Sequence, residues 1–208
     1  VVLDYANAYG GAWFDYDNDG FLDLYVLNGN DAGTANVANY FYHNNGNSNA
    51  WLKVRLVGTV SNRDAIGAKV RALATYAGAP RWQRRDITGG DWGNGNQLYA
   101  DFGLGDATNV TALRIEWPSG TVEEFSNIVP RQYLTIVEPS LRGALAKDGK
   151  FHLSLTMSTN RVYQIQASSD LVTWTTLTNS TGSASYKPIE FVDPEAPSTH
   201  TARFYRMK

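Results

Sequence analysis

The sequence predicts an all-β protein. Apolar runs of about four to eight residues recur between clusters of Gly, Asn, Asp, Ser and Pro, the pattern of strands separated by turns. Helical periodicity is nearly missing. The composition agrees, with 12% aromatic residues, 19 glycines and only 18% charged residues, where globular chains average roughly 25% charged. That mixture suits turn-rich sheets rather than helical bundles.

The predicted strands fall into three segments. The first, 1–50, is rich in Asn, Gly and Asp and places strands at 11–14 and 22–27 around an acidic loop. Asn44-Asn45-Gly46-Asn47 is a strong turn signal. The second, 51–139, places strands at 51–57, 68–76, 81–87, 97–102, 112–117, 121–125 and 133–138. Leu52, Val54 and Leu56 alternate with Lys53 and Arg55, which predicts one buried and one solvated face. Pro118-Ser119-Gly120 predicts a hairpin turn. The third, 140–208, is richer in Ser and Thr, with strands at 151–157, 162–168, 174–177, 189–192 and 202–207. Spacing of about ten residues suits a small β-sandwich. The stretch 140–147, which contains Gly143, reads as a linker or a single turn near the domain boundary.

Composition also excludes function classes. The formal charge of −2 disfavours nucleic-acid binding. No cysteine is present, which excludes disulfides, Cys-based zinc sites and a cysteine nucleophile. No apolar run approaches the roughly 18 residues of a membrane span. The chain opens at Val1 without a leader-like segment and reads as a processed product or a piece of something longer.

The sharpest motif is Asp15-Tyr16-Asp17-Asn18-Asp19-Gly20-Phe21-Leu22-Asp23. Carboxylates packed this closely repel one another, and a hard divalent cation resolves the repulsion. All-oxygen ligands favour Ca²⁺ over Zn²⁺. Asp15, Asp17, Asp19 and Asp23 are the candidate side-chain ligands, with the Phe21 carbonyl as a backbone ligand and Gly20 allowing the sharp turn. An EF-hand is excluded, because its bidentate Glu would fall on Val26 and the flanks read as strands. The alternative is a solvated acidic turn without metal.

The unit from Gly11-Ala12-Trp13-Phe14-Asp15 to Asp23-Leu24-Tyr25-Val26 resembles an FG-GAP/VCBS repeat, which implies a blade of a calcium-bearing β-propeller. The stretches Trp51-Leu52-Lys53-Val54-Arg55-Leu56, Ser61-Asn62-Arg63-Asp64-Ala65-Ile66-Gly67-Ala68, Phe102-Gly103-Leu104-Gly105 and Trp117-Pro118-Ser119-Gly120 resemble the ASPIC/UnbV domain. Tyr163 to Leu171 with Trp174, and Arg203-Phe204-Tyr205-Arg206, are similar to C-terminal β-modules of bacterial exported proteins. Together the resemblances imply a calcium-loop hairpin or blade fragment, a sandwich- or barrel-like ASPIC/UnbV domain and a small C-terminal sandwich. They also imply secretion, to the cell surface or beyond. One blade cannot bury both faces of its sheet. The first segment must therefore pack on the second, on further blades or on another copy, which opens a route to fibres.

No catalytic set stands out. Asp64 reads as a turn residue, and Asp86 and Asp91 flank Gly89-Gly90 without a glycosidase pairing that spacing can supply. Ser119 lacks a nucleophile elbow, and His43 reads as a plain polar residue. Trp13, Trp51 and Trp117 are expected in the core, whereas Trp82, Trp92 and Trp174 are the candidates for ligand or partner contact. The expected function is a non-catalytic, calcium-stabilised extracellular protein of structural or adhesive type. Its partners would be copies of itself, other extracellular proteins or glycans, and self-assembly would give a surface layer or fibre. The alternative is a carbohydrate-binding accessory region of a larger exported enzyme, with Trp82 or Trp92 in its aromatic platform.

Overall fold

A computed structural model describes residues 7–29, 38–90, 97–159, 161–182, 188–195 and 202–208. Sixteen strands and no helix are found among them, so the all-β expectation holds. The strands form five sheets, none closed into a barrel. Two compact units result. One takes Asp64–Thr135 with the chain up to Arg55, and the other takes Leu56–Arg63 with Ile136–Lys208.

In the first unit, β1 (Asn7–Phe14), β2 (Asp23–Gly29) and β3 (Tyr40–Tyr42) make an antiparallel sheet. A second sheet has the order β10-β4-β7, from β4 (Ala50–Val57), β7 (Tyr99–Gly105) and β10 (Gln132–Val137). A third has the order β6-β5-β8-β9, from β5 (Lys69–Tyr76), β6 (Ala79–Asp86), β8 (Val110–Glu116) and β9 (Val122–Ile128). Alternation sets the core. Leu52, Val54, Ala100, Phe102 and Leu104 are buried on β4 and β7, and Val70, Ala72, Leu113 and Ile115 on β5 and β8. Long polar side chains finish the inner face of β6. Gln83 Nε2 donates to the Gly103 carbonyl (2.6 Å) and Arg85 Nε to the Asp101 carbonyl (2.7 Å), which ties β6 to β7. The predicted hairpin is present: Trp117 N–H donates to the Thr121 carbonyl and Gly120 N–H to the Trp117 carbonyl. The buried Trp117 indole donates to Glu123 (2.9 Å).

The second unit faces two three-stranded sheets across an apolar core. One has the order β11-β12-β15, from β11 (Ser140–Leu145), β12 (Phe151–Thr156) and β15 (Ile189–Asp193). The other has the order β14-β13-β16, from β13 (Val162–Ser168), β14 (Thr175–Thr181) and β16 (Phe204–Met207). Leu153, Leu155, Met157, Tyr163 and Ile165 are the centre of that core, and Phe151 stacks on Tyr205 (5.0 Å). Glu138 is fully buried and closes the loop after β4. One carboxylate oxygen accepts the amides of Thr59, Val60 and Ser61 (3.0, 2.9 and 2.7 Å), and the other accepts the Ser61 hydroxyl (2.8 Å).

Four expectations are corrected. Residues 140–147 are not a linker, because Ser140–Leu145 pairs in full with β12. Strand β3 was not expected. Trp13 is not a core residue but is 58% exposed. Lys53, expected on a solvated face, is only 2% exposed. The last two of these lead to the candidate sites.

Candidate metal loop

The acidic loop joins β1 to β2. Asn18 (φ 61°) and Gly20 (φ 93°) bend it back on itself. Gly20 lies flat against Trp51, and a Cβ there would fall 1.9 Å from the indole. The bend brings one carboxylate oxygen each of Asp15, Asp17 and Asp19 within 4.8 Å of one another. The Asp19 amide donates to Asp15 Oδ1 (3.1 Å), the Gly20 amide to Asp15 Oδ2 (2.9 Å) and the Phe21 amide to Asp19 Oδ1 (2.8 Å). Asp17 and Asp19 face solvent, whereas the Asp15 side chain is buried.

Lys53 accounts for the buried carboxylate. Its ammonium stands 3.1 Å from Asp15 Oδ2 and 3.2 Å from Asp101 Oδ1, between the rings of Tyr99 and Tyr133 (5.6 and 5.2 Å to their centroids). The Tyr133 hydroxyl also donates to Asp15. The contact with Asp101 has the distance of an ion pair but not hydrogen-bond geometry, so Asp101 Oδ1 is buried without a donor. Burial pushes Asp15 up, but the Tyr133 hydroxyl, Lys53 and the Gly20 amide outweigh it and hold the pKa below the usual 3.8. Burial wins at Asp101 and raises its pKa despite Lys53.

Asp23 does not join the other three carboxylates. It is buried at the start of β2, where it accepts the amides of Tyr16 (3.1 Å) and Asn44 (2.8 Å) and contacts His43 Nδ1 (3.0 Å). Burial raises its pKa, but those two amides and His43 bring it below 3.8. It therefore fastens the acidic loop to the 43–47 turn, with His43 as its partner. Phe21 is half-buried with its ring against Gly46. Trp82 stands 54% exposed on the outer face of β6, opposite Leu73. Trp92 and Asp91 lie outside the described residues. Trp174 is half-buried under the Arg206 guanidinium (4.1 Å). Asp86 is clamped by Arg84 through two bonds (2.6 and 2.7 Å), and Asp64 is exposed. Sequence reasoning missed Lys53, Tyr99, Asp101 and Tyr133. The one available signal was a Lys placed between Leu52 and Val54 in an apolar strand.

The donor set fits a hard divalent cation. Three converging carboxylates supply oxygen ligands only, as Ca²⁺ requires, and Lys53 neutralises one of the three charges. Asp15, Asp17 and Asp19 would hold the ion.

Residues 58–142 match the ASPIC and UnbV family model. Domains of this family occur in extracellular and exported proteins. The matched span runs from the loop closed by Glu138, through β5–β10, into β11. A search of curated proteins finds no match to the chain. No helix among the described residues is long and apolar enough to cross a membrane.

Proposed function

We propose that this chain is a non-catalytic, calcium-stabilised extracellular β-protein with a structural or adhesive role. The observation that carries the reading is the convergence of Asp15, Asp17 and Asp19 on a loop braced from below by Lys53 and Tyr133. A cation there would relieve the repulsion and lock the β1–β2 hairpin to the sheet that holds Lys53. The ASPIC/UnbV match supports export, and the likeness of the first segment to FG-GAP/VCBS repeats supports calcium. The β1–β2–β3 sheet supports a contact-making role. Tyr9, Trp13, Tyr40 and Phe41 are each at least 40% exposed on it, more aromatic surface than one small sheet buries by itself. The partners in this reading are further copies of the chain or other extracellular proteins, assembled as a layer or fibre.

Thermal unfolding in millimolar calcium and in excess chelator tests the metal. Calcium should raise the melting temperature by several degrees, and Asp17→Ala with Asp19→Ala should abolish the increment. Identical melting curves for the natural sequence in both conditions would overturn the assignment. Light scattering in the same two buffers tests the assembly, and large particles should dissociate on chelation.

A further inference from the structure

The first unit also carries an open groove of about 290 Å³ beside the metal loop, lined by Trp13, Arg85, Asp86, Gln97, Tyr99 and Asp101 among others. That is about the size at which small-ligand sites begin, roughly 300 Å³, which suits a ligand of one sugar ring. Two of its walls are aromatic, Trp13 and Tyr99. The main chain at Trp13 is fixed by Gln97, itself in the lining, whose Nε2 donates to the Trp13 backbone carbonyl (3.0 Å). The polar lining is fixed in advance. Arg85 is braced on the carbonyls of Asp101 and Arg84, and Asp86 is clamped by Arg84. Asp101 keeps a fifth of its side chain open beside Lys53.

We infer that this groove binds a neutral saccharide, with a sugar ring stacked on Trp13 and its hydroxyls bonded to Asp101, Asp86 and Arg85. The chemistry follows from the lining. The C–H face of a pyranose packs on an indole, as amphipathic rings do. Its hydroxyls both donate and accept, which suits a groove holding carboxylates and a guanidinium side by side. Around the groove three cations, Lys53, Arg84 and Arg85, stand against three carboxylates, Asp15, Asp86 and Asp101, with Lys53 shared between Asp15 and Asp101. The local sum is near zero, so no net charge selects an ionic ligand. No proposed calcium ligand lines the groove, and the sugar assignment is read by retardation in millimolar calcium whereas the calcium assignment is read by melting, so the failure of one is distinguishable from the failure of the other.

Affinity electrophoresis of the full chain through gels holding neutral polysaccharides (glucans, xylan, mannan) or anionic ones (polygalacturonate, alginate) tests it. At least one neutral polymer should retard the protein. Trp13→Ala should weaken that retardation about tenfold or more, while Trp82→Ala, on β6 but outside the groove lining, stays within about twofold. Circular dichroism checks that the variants fold. Should Trp13→Ala not fold, Asp101→Asn carries the test and should weaken binding about tenfold. No retardation by any neutral polymer, retardation by anionic polymers alone, or equal losses for Trp13→Ala and Trp82→Ala would each overturn the assignment.

Discussion

Single residues fix the geometry wherever a side chain would not fit or a charge would stand alone. Gly20 combines a positive φ with a ring against its Cα. Gly20→Ala should destabilise the first unit by about 2 kcal/mol, read as a lower melting temperature, and weaken the calcium response with it. In the second unit Asp193 is fully buried and accepts from Arg203 Nε (by a short contact) and Nη2 (3.2 Å) and from the Tyr205 hydroxyl (2.9 Å). Burial raises its pKa, but Arg203, the Glu195 amide and Tyr205 bring it below 3.8. Burial and Asp193 push Tyr205 up to about 12. A lowered carboxylate pKa gives stability that is complete above about pH 4 and lost as pH falls through the folded value. A raised phenol pKa gives stability that is complete below about pH 10 and lost as pH rises toward 12. Denaturant titrations from pH 2 to 12 should therefore show a plateau with both edges. Asp193→Asn should lower the plateau by about 3 kcal/mol, because Arg203 loses its buried partner, and should blunt both edges. These partners lie ten and twelve residues away, so nothing in their local spacing announces the network. The spacing of Asp15, Asp17 and Asp19 did announce theirs, because one short loop carries them all.

At the scale of elements, legibility tracked periodicity. Strand β5 alternates buried and open positions, and β4 does so except at the buried Lys53; both are legible in the sequence. Strand β11 could not be read that way. Only Ser140 is buried, and Gly143 sits in its middle because a Cβ would fall 2.5 Å from the Phe151 ring. Such a strand exists through its partner β12 and has no pattern of its own. Strand β3 is three residues long, too short for any period to show. Lys53 follows the alternation in direction only. It does point away from Leu52, Val54 and Leu56, but Asp15, Asp101 and Tyr133 cover that face, and their approach depends on the fold. The matched stretch from Ser61 to Ala68 also takes on a structural meaning here. Its start is the loop that Glu138 closes, and Ala65 and Ala68 are buried. Glu138→Ala would strand three amides and should cost about 3 kcal/mol or more in chemical denaturation.

At the scale of the whole molecule, two β-built units share one chain, and the candidate metal loop belongs to the first. Chelation should therefore raise hydrogen exchange in β1, β2, β4 and β7 and leave β12 and β13 unchanged. Equal deprotection of all six strands would show that calcium acts elsewhere. The Glu138 clasp has a consequence for the time course of folding. Its partners lie 77 to 79 residues earlier in the chain, so the contact forms only after a long loop has closed. We expect a bond that closes so long a loop to form on the native side of the rate-limiting barrier. Its removal should leave the refolding rate almost untouched and speed unfolding about a hundredfold. Glu138 would then serve as a latch, setting how long the chain stays folded rather than how fast it folds.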